Sequence, residues 1–206
     1  MITIQSTSNY CARYLSTKVS NEIYPSVEDQ IEVFEYGFMV IIGALVKGIL
    51  LVSLASILGV LVPVIAITFT FSSLRIIAGG YHLKNFLGCM VISLTQFIIS
   101  SIIVQYTQKY WTYINIYSLF IFSIIVAIYI IIRYVPRDTP NKPITDQKQK
   151  VKFKKWSSIY LTTWTMLMTI FLLLHIKIIV IASCFGLLLE LLSISTLGQK
   201  MYTFVD

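Results

Sequence analysis

Charged side chains are scarce in this chain: Asp, Glu, Lys and Arg together make up only 12% of its 206 residues. A soluble globular domain carries about 25%. Hydrophobic residues make up 57% of the chain, and its mean hydropathy is +0.81. Because no polar stretch is long enough to bury a core of its own, a large soluble domain is excluded. The composition predicts a single membrane domain embedded in a lipid bilayer.

Cysteine and histidine are scarce too, with three and two copies. Cys11, Cys89 and Cys184 show neither a CxxC spacing nor a metal-ligand grouping, so we expect free thiols and no metal or cofactor. Cys11 and Cys184 have no histidine within a few residues and are expected to be structural. His175 is expected to be an interfacial residue. Residues 1–35 lack the apolar run of a signal peptide and are not expected to be one.

Positive charge is concentrated in one segment. The net charge is +7, and eight of the sixteen basic residues fall between Arg133 and Lys155. Their position between apolar runs favours a cytoplasmic loop that suits anionic lipid headgroups, rather than a nucleic-acid surface. The loops that contain Lys109 and Lys177 carry one basic residue each and are expected on the outer side. Two spans separate the basic loop from Arg75–Lys84, which should therefore face the cytosol as well.

The apolar runs predict an all-α integral membrane protein with about six transmembrane helices, five or seven being the alternatives. Helical spacing of apolar residues predicts an N-terminal amphipathic helix from Val27 to Tyr36. The run 38–74 is too long for one crossing and should turn near 53–59. The predicted order is an amphipathic segment, four spans, a basic loop, and two spans with a tail: 1–35, 36–132, 133–155 and 156–206.

The segment from Arg75 to Cys89 carries the most specific chemistry. Gly79 and Gly80 break the helix between two apolar runs, His82 follows at once, and Cys89 comes seven residues later. An imidazole beside a thiol is the smallest set of groups that performs acyl transfer through a thioester. Seven residues of helix rise about 10.5 Å, so His82 must fold back through the glycines to reach the thiol. A helix N-terminus and a nearby imidazolium both favour a thiolate.

Two further charged residues lie within or beside the spans. Arg75 is either an interfacial anchor at the end of a span or a functional residue that binds a substrate carboxylate or braces the loop. Glu190 lies in the last span, where an ionisable group is costly and by default functional. It could orient His82, pair with Lys47 or Arg75, stay protonated in a polar seam, or lie near the interface. The sequence identifies no third catalytic group.

This pattern resembles the accessory gene regulator B (AgrB) family over nearly the whole chain. The resemblance rests on the spacing of Arg75, Gly80, His82 and Cys89 and on the loop Pro136–Ile144. It implies a cysteine endopeptidase of the bacterial cytoplasmic membrane, in which His82 and Cys89 are catalytic and Arg75 and Gly80 support them or bind substrate. The implied substrate is an AgrD-like precursor of a quorum-sensing peptide, cleaved through a thioester and cyclised to a thiolactone or lactone.

The same resemblance implies a homodimer. It also gives the basic loop two compatible interpretations. The loop either only fixes the topology or also attracts an acidic segment of the precursor peptide.

Two functions of other classes remain open from the residues. A small multi-pass transporter or exporter of a peptide or lipid would use Lys47 and Glu190 inside the bundle. It predicts a water-accessible cavity across the bilayer and indifference to Cys89→Ala. A membrane scaffold that docks a partner on the basic loop would leave His82 and Cys89 unexplained. The peptide-processing enzyme is therefore the leading hypothesis.

Overall fold

The computed structural model describes residues 27–80, 86–137 and 146–205. The chain divides into two compact units, 1–53 and 54–206. The described residues form helices joined by short turns, with one isolated bridge and no strand, so the predicted all-α class is confirmed for them. In chain order the helices are α1 Val27–Ile57, α2 Leu61–Ala78, α3 Phe86–Thr107, α4 Tyr113–Tyr134, α5 Gln147–Leu173, α6 Lys177–Ile194 and α7 Thr196–Val205, with a 3₁₀ turn at Gln108–Tyr110.

Five helices in the described part of the chain are long and apolar enough to cross a membrane: α2, α3 with its 3₁₀ extension, α4, α5 and α6. In α1, the stretch Ile41–Ile57 is apolar as well. A multi-pass membrane protein is therefore confirmed, whereas the expected sixth span is not.

The amphipathic segment Val27–Tyr36 is helical, as predicted, but it does not form a helix of its own. It continues without a break to Ile57. The reason is that α1 contains no proline, and a glycine inside a helix costs only about 1 kcal/mol. The break comes at Gly59, whose φ of 67° is readily adopted only by glycine. The turn therefore lies at the C-terminal edge of the predicted stretch.

The basic loop ends earlier than predicted, because residues 147–155 already belong to α5. Asp146 caps this helix by accepting a hydrogen bond from the Lys148 backbone N–H at 2.9 Å. Lysine and glutamine, which dominate the first turns, are good helix formers. The C-terminal tail, for which no secondary structure was predicted, is helical, since α7 follows directly after Ser195. The Ser195 hydroxyl accepts from the Gly198 backbone N–H at 3.1 Å and so starts this last helix.

Helix α6 is central within the second unit. Some 61% of it is buried, against 22% to 33% of the other four spans. It packs against all four of them and most extensively against α2. A Cβ on Gly186 would lie 2.5 Å from the Ile67 carbonyl oxygen, so this glycine lets the backbones of α6 and α2 approach closely. Glu190 and Ser193 follow on the same face of α6.

The helix contacts distinguish the two ends of the bundle in the second unit. At one end Gly79, which follows α2, forms a parallel bridge with Arg137 at the start of the basic loop. At the other end the Tyr113 hydroxyl lies 2.9 Å from Nδ1 of His175. There Nζ of Lys177 lies 4.0 Å from the centroid of the Tyr113 ring. The end of α2 and the basic loop thus share one end, as the charge bias predicts.

Candidate active site

The predicted helix break at the glycine pair is present, since α2 ends at Ala78. The Gly79 backbone N–H donates to the Arg75 carbonyl at 3.0 Å. The φ of Gly79 is 77°, a conformation that favours glycine. A Cβ at this position would lie 2.7 Å from the Arg137 carbonyl oxygen. Both its backbone angle and the close approach of the basic loop therefore require a glycine here.

An ion pair between α2 and α6 lies directly beside this break. Nη1 of Arg75 donates to Oε2 of Glu190 at 3.1 Å and to Oγ of Ser193 at 2.9 Å. The Ser193 hydroxyl donates in turn to the same Glu190 oxygen at 3.1 Å. The Glu190 side chain is fully buried and that of Arg75 is 19% exposed. Pairing offsets the large cost of isolated charges in a low-dielectric interior. We call these three residues the brace.

Gly80 packs directly on the brace. A Cβ on Gly80 would lie 2.7 Å from Nη1 of Arg75 and 2.8 Å from Oγ of Ser193. It would also lie 3.1 Å from Oε1 of Glu190. Any side chain at this position would displace the brace or the backbone. The brace therefore fixes the path of the chain two residues before His82.

One hydrogen-bond acceptor of the brace has no partner among the described residues. Oε1 of Glu190 is buried and makes no hydrogen bond to any of them. A buried polar atom without a partner costs about 1–3 kcal/mol. This oxygen lies on the side of Gly80.

Aromatic side chains connect the brace to α3. The Arg75 guanidinium carbon lies 5.4 Å from the centroid of the Phe71 ring. Phe71 meets Phe97 of α3 edge to face, with 5.0 Å between the ring centroids. An aromatic face attracts a cation, so the contact with Phe71 helps to hold the Arg75 side chain in place. The helix that carries Cys89 is thereby packed against the helix that carries the brace arginine.

Cys89 lies in the first turns of α3 and is a free, partly exposed thiol. The Ser93 hydroxyl donates to the Cys89 carbonyl at 2.5 Å. Cys184, in contrast, is a fully buried residue of α6. A reagent or substrate can therefore reach the Cys89 thiol but not the Cys184 thiol.

The described residues bring together Arg75, Gly80 and Glu190, which were singled out separately from the sequence. Of the partners considered for Glu190, Arg75 is observed. His82 and Cys11 lie outside the described residues, so the contact between His82 and Cys89 stays a prediction. Ser193 was missed. A signal was present, since it is a polar residue three positions after Glu190 on the same helical face.

The brace predicts strong coupling between its two charged members. Arg75→Met and Glu190→Leu should each lower the unfolding midpoint, because each leaves one charge unpaired, at a cost of about 3–5 kcal/mol. The double variant should recover much of this loss. Thermal unfolding of the unchanged protein, the two single variants and the double variant, each purified in detergent, would measure this coupling. Additive effects of the two substitutions would contradict an energetically coupled pair.

Comparisons with known proteins agree with the resemblance seen in the sequence. A family model described as accessory gene regulator B matches residues 8–194. An AgrB-like protein of Clostridium perfringens (strain SM101 / Type A) is 24% identical over 207 residues, covering 95% of this chain and 94% of the relative. Accessory gene regulator protein B of Staphylococcus aureus (strain MRSA252) is 28% identical over 135 residues, covering 66% of this chain and 68% of the relative. No solved structure matches the chain.

The matched residues include the glycine pair, the whole brace and Cys89. They also include all five helices that are long and apolar enough to cross a membrane. The chain is therefore a multi-pass membrane protein that belongs to the accessory gene regulator B family.

Proposed function

We propose that the chain is a membrane cysteine endopeptidase that processes an AgrD-like precursor peptide. His82 is the base and Cys89 the nucleophile. The observation that carries this proposal is the packing of the brace on Gly80, two residues before the predicted base. A partly exposed thiol in the first turns of the next helix supports it further. A helix end fixed by an ion pair and followed in the chain by an accessible thiol suits a site that must position reacting groups.

The first half of the proposed reaction forms an acyl-enzyme. His82 accepts the thiol proton of Cys89, and the thiolate attacks the carbonyl carbon of the peptide bond before the precursor's C-terminal segment. The C–N bond breaks and the proton passes from His82 to the leaving amine. The N-terminal part of the precursor stays on Cys89 as a thioester. Conversion of an amide to a thioester is unfavourable in free energy. Removal of the released segment drives this step toward the acyl-enzyme.

The second half closes a ring. An internal Cys or Ser of the precursor attacks the thioester carbonyl, and its proton returns to the sulfur of Cys89. The product is a thiolactone or a lactone. An enzyme-held, membrane-bound substrate makes this intramolecular attack faster than attack by water.

Arg75 and Glu190 act in this proposal as positioning residues. The same guanidinium nitrogen of Arg75 already donates to Glu190 and Ser193, which supports bracing over capture of a substrate carboxylate. The buried Oε1 of Glu190, which bonds to none of the described residues, supports a role of this carboxylate in orienting His82. Such an acceptor holds a base in place without entering the reaction.

The transporter alternative loses one of its supports. It uses Lys47 and Glu190 inside the bundle and predicts a water-accessible cavity across the bilayer. The Glu190 side chain is fully buried and bonded to Arg75 and Ser193, so it lines no open passage. A homodimer, implied by the family resemblance alone, stays a prediction.

The proposed nucleophile is tested by co-expression with the precursor peptide and mass analysis of the products. Cys89→Ala should lower cleavage by at least about a thousandfold, because no other thiol can form the acyl-enzyme. Cys11→Ala and Cys184→Ala are matched controls that should keep processing. All three proteins must reach the membrane in similar amounts. Cleavage by Cys89→Ala at the rate of the unchanged protein would rule out the covalent mechanism.

The proposed orientation places the bundle end with Gly79 and Arg137 in the cytosol, because basic loops are retained there. In a variant with Cys11→Ala and Cys184→Ala, an impermeant maleimide should label Cys89 in inverted vesicles and not in intact cells. A cysteine introduced at Lys109, at the expected outer end, provides the matched control and should show the reverse. Labelling of Cys89 only in intact cells would overturn the orientation.

A further inference from the structure

A groove separate from the brace opens between the end of α2 and the beginning of α5. Its volume is about 340 Å³. Its walls are two residues of α2 and four of α5: Ile76, Ile77, Gln149, Lys152, Phe153 and Trp156. It lies at the end of the bundle that carries the basic segment. Nothing in the proposed reaction uses it.

The floor of the groove is apolar and open toward the surroundings of the bundle. The side chain of Ile76 is 83% exposed and that of Trp156 is 52% exposed. Both helices are long and apolar enough to cross a membrane, so this exposed surface lies at the ends of two candidate spans. A tryptophan at the end of a span is typical of the interface between headgroups and acyl chains. The apolar wall is therefore placed to receive an acyl chain.

The rim of the groove is positively charged. Residues 147–155 of α5 contain five lysines and no acidic residue. Lys154 is already engaged, since its Nζ donates to the Ile132 carbonyl at 2.7 Å. Lys152 is exposed on the groove side and forms no ion pair with any described residue. Gln149, in the first turn of α5, adds an amide donor where the helix dipole favours an anion.

Size and wall structure argue against a peptide as the occupant. The volume is at the lower end of the range for small-molecule pockets, about 300–1,000 Å³. An extended peptide binds along a strand edge or another row of free backbone groups. The wall here consists of side chains from two helices, whose backbone groups are mostly paired internally. A single amphiphile with an apolar chain and an anionic head matches both wall and rim.

We propose that this groove binds one anionic phospholipid. An acyl chain lies along Ile76, Phe153 and Trp156, and the phosphate meets the Lys152 ammonium and the Gln149 amide. Basic pockets between membrane helices commonly bind such headgroups. The site is independent of the peptide-processing proposal, because it includes no residue of the brace and no thiol.

Trp156 provides the measurement, because brominated lipids quench a tryptophan they touch. The purified full-length protein is placed in phosphatidylcholine vesicles that contain brominated phosphatidylglycerol or, in parallel, brominated phosphatidylcholine at equal mole fraction. The part of the quenching that is lost in the Trp156→Phe variant measures the lipid bound in the groove. We expect phosphatidylglycerol to be preferred at Trp156 by about fivefold for the one lysine involved.

Two lysine variants distinguish lipid binding in the groove from a general effect of positive surface charge. Lys152→Gln should abolish the preference for phosphatidylglycerol. Lys150→Gln removes one positive charge from the opposite face of the same helix, and this variant should still prefer phosphatidylglycerol. Equal quenching by the two lipids, or an equal effect of both variants, would overturn the proposal. If Lys152→Gln leaves the lipid preference intact but weakens capture of the precursor peptide, the groove belongs to the substrate instead.

Discussion

The ion pair between Arg75 and Glu190 joins α2 to α6 inside a bundle that is otherwise mostly apolar. A charge in such surroundings is costly unless it is paired and hydrogen-bonded, so neither residue can be accommodated without the other. The pair therefore fixes the rotation of α2 against α6. Gly186 makes this possible, because only a residue without a side chain lets the two backbones approach closely enough at Ile67. Ser193 completes the hydrogen bonding of the pair.

The position of the pair matters as much as its strength. It lies in the last turn of α2, where the chain leaves the helix through Gly79 and Gly80. Gly80 rests on the brace with no room for a side chain, so the position of Gly80 is set by the contact between two spans. Phe71 and Phe97 extend this contact to α3. A braced helix end, followed nine residues after Gly80 by an accessible thiol, suits the proposed acyl transfer.

The sequence predicts much of this fold because the bilayer imposes strong patterns. Long uncharged runs and a basic loop give the helical class, most of the spans and the shared end of α2 and the loop. Element boundaries are harder, since nothing in Val27–Ile57 stops a helix and the lysine-rich start of α5 is a good helix former. The brace could not be assembled from the sequence. Glu190 follows Arg75 by more than one hundred residues, and only the packing of α2 on α6 selects one partner among several cations.

The central claim is that the brace and His82 together activate Cys89. Its most direct test is the rate of Cys89 alkylation against pH in protein carrying Cys11→Ala and Cys184→Ala. His82→Gln and the double variant Arg75→Met with Glu190→Leu are compared with the otherwise unchanged protein. An imidazolium neighbour favours the thiolate, so losing it should slow alkylation at pH 7, with recovery as the pH approaches about 8.5, where a free thiol ionises. We predict this shift in both variants; coincident profiles for all three proteins would contradict the account.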